Sequence, residues 1–176
     1  MSDSNFNLQP ETLENDLVKI IPLKESDFER LYEVASDPEI WEQHPAKDRY
    51  QKEVFQLFYD GAVESKSAFL VYDTATDELI GSSRYYDFDS ENSKIAIGFT
   101  FLAKKFWGGK HNKAMKQLLI DYAFQHVDTI VFHIGETNIR SQKAIAKIGA
   151  TQIGLVDFNN RNIPHFEYHI LKKDWI

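Results

Sequence analysis

One change of hydrophobic period constrains this chain more than any other feature. Up to Val63 the apolar residues that follow a first short strand recur at helical spacing. From Ser67 the period becomes two, in SAFLVYD, ELIGSSRYYDF and KIAIGFTF, with the polar turns DTATD and DSENS between them. Three alternating runs joined by tight turns predict an antiparallel meander. Helical segments flank it on both sides and strands follow again, so a bundle or a barrel is excluded.

Before the meander, a polar leader over residues 1–16 gives way to a strand at Leu17–Leu23. Ser26-Asp27-Phe28-Glu29 has capping-box spacing and predicts a helix from Ser26, with Phe28, Leu31, Tyr32 and Ala35 on one face and an end at Asp37-Pro38. A second helix is predicted over Asp48–Val63, burying Tyr50, Val54, Leu57, Phe58 and Gly61. Between the two, Glu39–Ala46 reads as an exposed connector carrying Trp41, His44 and Pro45. After the meander come the linker LAKKFWGGKHN, a helix from Asn112 to Gln125 with Met115, Leu118, Leu119 and Tyr122 on one face, and the buried strand DTIVFHI. Thr137 or Asn138 opens a further helix ending at Gly149, and strands at Gln152–Phe158 and Pro164–Leu171 close the chain across the turn NNRN. The order βααβββαβαββ predicts a single α/β (α+β mixed) domain over residues 17–176, a mixed sheet of about seven strands with about four helices.

The 176 residues fit one domain with one core. Twenty Lys and Arg against 27 Asp and Glu leave a net charge of −7, which argues against nucleic acid as a partner. The absence of cysteine removes disulfides, thiolate metal sites and thiol nucleophiles together. No run approaches the roughly 18 apolar residues of a membrane span, and the acidic start MSDSNFNLQPETLEND is unlike a signal peptide, so a cytoplasmic protein without a membrane partner is expected. Lys104, Lys105, Lys110, Lys113 and Lys116 form a basic stretch free of acids, either a solvated helix face or a pocket for a phosphorylated ligand.

Two loops could carry chemistry. Trp107-Gly108-Gly109-Lys110-His111-Asn112-Lys113 stands where a strand feeds a helix, and paired glycines with a helix start suit an anion such as a diphosphate, or serve only the turn. It is neither a Walker loop nor the dinucleotide G-x-G-x-x-G. The second is Glu136-Thr137-Asn138-Ile139-Arg140-Ser141, which joins DTIVFHI to the helix ending in KIGA.

With the phrases IGFTFLAKKFWGGKHNKAMK and HIGETNIRSQKAIAKIGA, and a terminal hairpin closing on Asp174-Trp175, the chain from about Leu17 to Ile176 resembles the GNAT superfamily of acetyl-CoA-dependent N-acetyltransferases. Within it the likeness is to the branch holding Rim-type ribosomal-protein acetyltransferases. The resemblance implies a sheet splayed between its fourth and fifth strands, with acetyl-CoA as co-substrate in the gap. It implies that Phe101 and Leu102 offer backbone groups to the pantetheine arm, and that amides from Trp107, Gly108, Gly109, Lys110, His111 and Asn112 cradle the pyrophosphate. Lys110 and Lys113 would meet outer phosphates, Asn138 the pantetheine, and Ser141 the thioester sulfur. Lys110 and Asn112 stand where the family's loop pattern has small residues, Ile145 where many members carry a tyrosine, and Ala96 where some carry a glutamate.

The function so implied is transfer of acetyl from acetyl-CoA to a primary amine of a small molecule or a protein N-terminus, by direct attack; a non-catalytic acyl-CoA sensor is the alternative. Ser141 is the candidate catalytic residue, either protonating the departing thiolate or capping its helix. The net charge and the acidic turn Asp87–Glu91 point to a cationic or neutral acceptor. A homodimer follows from the resemblance alone. No metal is expected: His165 and His169, four apart on a strand, lie about 13 Å from each other. His133 reads as a hydrogen-bonded core histidine or a base, and Gly81 as a bulge or a site of close packing between strands.

Overall fold

The computed structural model describes residues 5–158 and 162–175. The strands are β1 (Leu13–Glu14), β2 (Val18–Pro22), β3 (Ala68–Asp73), β4 (Leu79–Asp89), β5 (Lys94–Leu102), β6 (Thr129–Gly135), β7 (Thr151–Asp157) and β8 (Pro164–Leu171). The helices are α1 (Phe28–Ala35), α2 (Lys52–Ser65), α3 (His111–Ala123) and α4 (Ile139–Lys147). One sheet runs β1-β2-β3-β4-β5-β6-β8-β7, antiparallel at every pairing except β5 with β6. The mixed, splayed α/β fold read from the sequence is thus the observed one, with eight strands among the described residues. Of the turn expected at NNRN, residues 159–161 lie outside the described residues.

The extra strand comes from the segment set apart as a leader. Leu13 and Glu14 pair with Ile20 and Lys19, and Phe6 is buried against Tyr85, Phe88 and His126, so the segment is fastened to the domain through Phe6 and β1 and is not a separate polar arm. The sheet is covered on both faces. On one, Val18, Ile20, Phe69, Val71, Ile95 and Ile97 meet Met115, Leu119 and Ile120 of α3 and Ile145 of α4. On the other, Leu70 and Phe101 meet Leu31 of α1, Phe55, Phe58 and Tyr59 of α2, and Trp41.

Three local expectations are corrected. The first helix opens at Phe28 after a 3₁₀ turn over Glu25–Asp27, and its entry is held by Asp27, whose carboxylate accepts the Lys24 N–H at 2.9 Å, not by Ser26. The second helix starts at Lys52 and buries Phe55, Phe58, Tyr59 and Ala62, leaving Leu57 74% exposed. The run VFQLFYDGAV offers two apolar stripes one residue apart, and the aromatic one wins because it fills more of the space above β3 and β5. The connector is not exposed at its centre: Trp41 is buried, its indole N–H donates to Ala35 O at 2.8 Å, and its ring packs on Phe101. Gly81 meets its expectation, since a Cβ there would sit 2.0 Å from the Phe101 carbonyl oxygen.

Candidate active site at the parting of two strands

The parallel pairing of β5 with β6 lasts three residues, Lys94↔Thr129, Ile95↔Ile130 and Ala96↔Val131. Both strands run on, β5 to Leu102 and β6 to Gly135, without further pairing to each other. A bulge explains the parting. Ser83 of β4 faces two β5 residues, Phe99 and Thr100; Phe99 has φ +51°, and Thr100 Oγ1 closes the irregularity with Ser83 Oγ at 2.8 Å. A bulged strand bends, and here it bends out of register with β6. Ala103 N–H donates to Ile80 O, so by antiparallel alternation Phe101 turns its backbone groups to β4 and Leu102 turns its own toward the opening. The Leu102 carbonyl accepts the Trp107 indole N–H at 2.9 Å, and its N–H faces the gap.

At the wide end of the opening stands the glycine loop. The Trp107 amide is bonded to Lys104 O, so the available donors begin after it. Gly108 has φ +72° with open space around it, and a Cβ on Gly109 would find its nearest neighbour at 3.7 Å. Lys110 is the N-cap of α3 and no side chain caps that end, so the N–H groups of His111, Asn112 and Lys113 have no intrahelical acceptor. Such a terminus favours an anion.

The lysine stretch divides by contact. Lys104 pairs with Glu39 and Lys105 with Glu78 at 2.6 Å, and Lys116 is buried within α3 with Asn112 Oδ1 at 3.0 Å. Lys110 and Lys113, exposed beside the loop, have no ion pair among the described residues. The His111 ring turns away to Asp73 Oδ1 at 2.8 Å.

The second loop reaches the first through Arg140, whose guanidinium lies 3.6 Å from the Trp107 ring centroid and donates to Ile40 O. Asn138 is buried, and its Oδ1 caps α4 by accepting the Ser141 N–H at 3.3 Å. The capping role offered to Ser141 therefore belongs to Asn138. Ser141, at the third helical position, is half-buried, and its hydroxyl has no partner among the described residues.

At the narrow end lies a constellation that no sequence motif signalled. The Tyr86 ring crosses β5 over Gly98, where a Cβ would sit 2.8 Å from the ring, and its hydroxyl meets His133 Nδ1 of β6 at 2.7 Å. His133 Nε2 lies 3.0 Å from Glu167 Oε1, and Glu167 Oε2 lies 3.0 Å from His169 Nε2. Burial, with Asp87 next, pushes the Tyr86 phenol far above its ordinary range. Burial also pushes Glu167 up, but hydrogen bonds from His133 and His169 outweigh it and hold the carboxyl below its usual value. With Glu167 accepting from Nε2, the tautomer that fits leaves His133 Nδ1 to accept from Tyr86. Phe158 stacks on His133 at 4.9 Å, and Pro45 fills the place a Cβ on Gly135 would take. The nearby His44 imidazole is brought down to about 3 by burial, then by Arg49, His165 and Arg140, and is neutral at pH 7. Its Nδ1 accepts the Ala46 N–H. Tyr86 and His133 stand on separate strands 47 residues apart in the chain, and no local pattern encodes their meeting.

Two strands thus part along one parallel pair, with anion-favouring donors at one end of the opening and a Tyr86–His133–Glu167 hydrogen-bonded chain at the other. The acetyltransferase (GNAT) domain model matches residues 18–151, and the chain belongs to that family. It is 26% identical over 176 residues to "Uncharacterized N-acetyltransferase p20" of Bacillus licheniformis, covering 94% of this chain and 98% of that protein. Its fold is that of a GCN5-related N-acetyltransferase from Brucella melitensis (TM-score 0.82, 18% identity, 98% of this chain and 86% of the other). It is also that of Mycobacterium smegmatis RimJ in complex with CoA-disulfide (TM-score 0.70, 16% identity, 93% and 87%). Family membership supports acetyl-CoA-dependent acetyltransferase activity in general. No helix among the described residues is long and apolar enough to cross a membrane.

Proposed function

We propose that the protein transfers the acetyl group of acetyl-CoA to a primary amine of a small molecule or a protein N-terminus, in a ternary complex without a covalent intermediate. The observation that carries this is the β5–β6 parting, with the Gly108–Lys113 donors at its mouth and Tyr86–His133–Glu167 at its vertex. The thioester supplies an activated acetyl group. In this reading the Leu102 N–H orients the pantetheine arm, with Phe101 holding the strand in place. The Gly108, Gly109, Lys110, His111 and Asn112 amides take the pyrophosphate, Lys110 and Lys113 meet outer phosphates, and Trp107 and Asn138 hold the two loops in shape. An amine at the vertex gives a proton to Tyr86 Oη as Tyr86 gives its own to His133 Nδ1, and Glu167 stabilises the imidazolium formed. Positioning supplies most of the remaining rate. Ser141, with an uncommitted hydroxyl, donates a hydrogen bond to the departing thiolate, which takes its proton from solvent.

The Rim-type branch rests on the resemblance of the sequence motifs alone, and a homodimer would find an open edge at β7, where Ile153 and Leu155 are each 56% exposed. A cytoplasmic location is part of the same reading. The test is release of free CoA from acetyl-CoA against a panel of amines, including ribosomal-protein N-terminal peptides. Turnover with one class of amine is expected; CoA binding with no turnover on any amine leaves an acyl-CoA sensor instead.

A further inference from the structure

Arg84 lies on β4, two residues before Tyr86 and on the same face of the sheet. It is 8% exposed, its Nε has no hydrogen-bond partner, and no hydrogen bond or ion pair among the described residues reaches its guanidinium. What touches it is aromatic: its Cζ stands 3.6 Å from the Phe99 ring centroid and 5.6 Å from that of Phe58. Stacking occupies the faces of a guanidinium and leaves its in-plane N–H donors for other partners. A buried charge without a counter-ion is costly, and arginine's planar fork matches a carboxylate in two parallel hydrogen bonds. Gly61 of α2 comes close to the guanidinium, since a Cβ there would sit 3.6 Å from Arg84 Nη1.

The surroundings add positive charge. Arg49 lies over Phe58 at 4.5 Å and over Trp41 at 5.3 Å, and Arg140 bonds to the backbone of Ile40 next to Trp41. Phe99 joins this region to the acid–base chain, since its ring is also 5.1 Å from that of Tyr86. From the unpaired guanidinium set one aromatic ring away from Tyr86, we infer that Arg84 binds a carboxylate carried by the acceptor amine, making the acceptor an amino acid or a chain end with an acidic neighbour. The inference rests on the acetyl-transfer reading for the role of the amine, though not for the binding of the carboxylate. It replaces the cationic or neutral acceptor expected from net charge. The −7 is spread over a solvated exterior, whereas a pocket's preference is set by the groups that line it.

Binding of matched pairs, measured by calorimetry on the CoA complex, tests this without requiring turnover. The pairs are alanine with alaninamide, glutamate with glutamine, and an aspartyl peptide amide with its asparaginyl counterpart. On the wild type at least one acid should bind about tenfold or more tighter than its amide, and which pair does so separates free amino acids from peptides. Arg84→Met should erase that difference with no fall in melting temperature, and Arg84→Lys should keep part of it. Equal binding of acid and amide by the wild type, or a difference that survives in Arg84→Met or in Arg84→Gln, overturns the inference. Lack of turnover on every amine, with the carboxylate preference intact, rejects the transferase reading and leaves the site standing.

Discussion

At position 116 a lysine is closed into α3 with Asn112 Oδ1 as its partner, and burial brings its ammonium down to about 8 from an ordinary 10.5. Below pH 8 the folded and unfolded chains both hold the proton, and the folded state bears the full cost of burying the charge. Between about pH 8 and 10.5 the folded protein releases the proton first, so this group's contribution to stability rises with pH across that window. Lys116→Met should raise the melting temperature at pH 7, by an upper bound of about 3 kcal/mol in stability, and flatten the rise above pH 8. Unchanged denaturation curves at both pH values would contradict it. Ser141 and Asn138 separate on the same reasoning. Asn138→Ala removes the α4 cap and should cost about 1 kcal/mol in urea unfolding. Ser141→Ala should leave stability within about 0.5 kcal/mol and slow single-turnover acetyl transfer by about 10²-fold. Equal single-turnover rates would leave water as the donor to the thiolate. Tyr86→Phe keeps the ring over Gly98 and deletes only the hydroxyl. It should lower kcat by about 10²-fold or more with acetyl-CoA affinity intact, and a rise in KM with kcat unchanged would place the hydroxyl in binding instead.

At the scale of elements, the glycine loop carries two glycines with different needs. Gly108 sits at φ +72°, a backbone state L side chains resist, so Gly108→Val should both strain the loop and fill it. Gly109 has no such constraint and open space ahead of it, so Gly109→Val should fold with a near-native melting temperature yet lose CoA binding in calorimetry. Normal binding by Gly109→Val would put the phosphate cradle elsewhere. The elements themselves were largely legible because period and turn chemistry are local: the meander, α3, β6, α4 and the closing strands stand where alternation and helical spacing put them. The α2 stripe is not legible because two apolar faces one residue apart differ only in which meets the sheet, a tertiary choice. β1 and Phe6 leave no trace in the sequence because a two-residue strand and one aromatic among polar neighbours make no periodic signal. The glycine loop and the Asn138–Ser141 segment could be named from their residues, but Tyr86, Arg84, His133 and Glu167 meet only through pairing of β4, β5, β6 and β8, which no spacing along the chain reveals.

For the whole molecule, the central claim is that the gap between β5 and β6 is the acetyl-CoA site. Amide hydrogen exchange with and without acetyl-CoA reads it strand by strand, because backbone N–H groups that lack a partner exchange readily and become protected when a ligand accepts from them. Acetyl-CoA should slow exchange at Leu102, at the Gly108–Lys113 loop and at the first turn of α3. The β1–β3 end of the sheet, already paired, should stay unchanged. Protection confined to other surfaces, or none at millimolar acetyl-CoA, would contradict the assignment of the opening as the site of transfer.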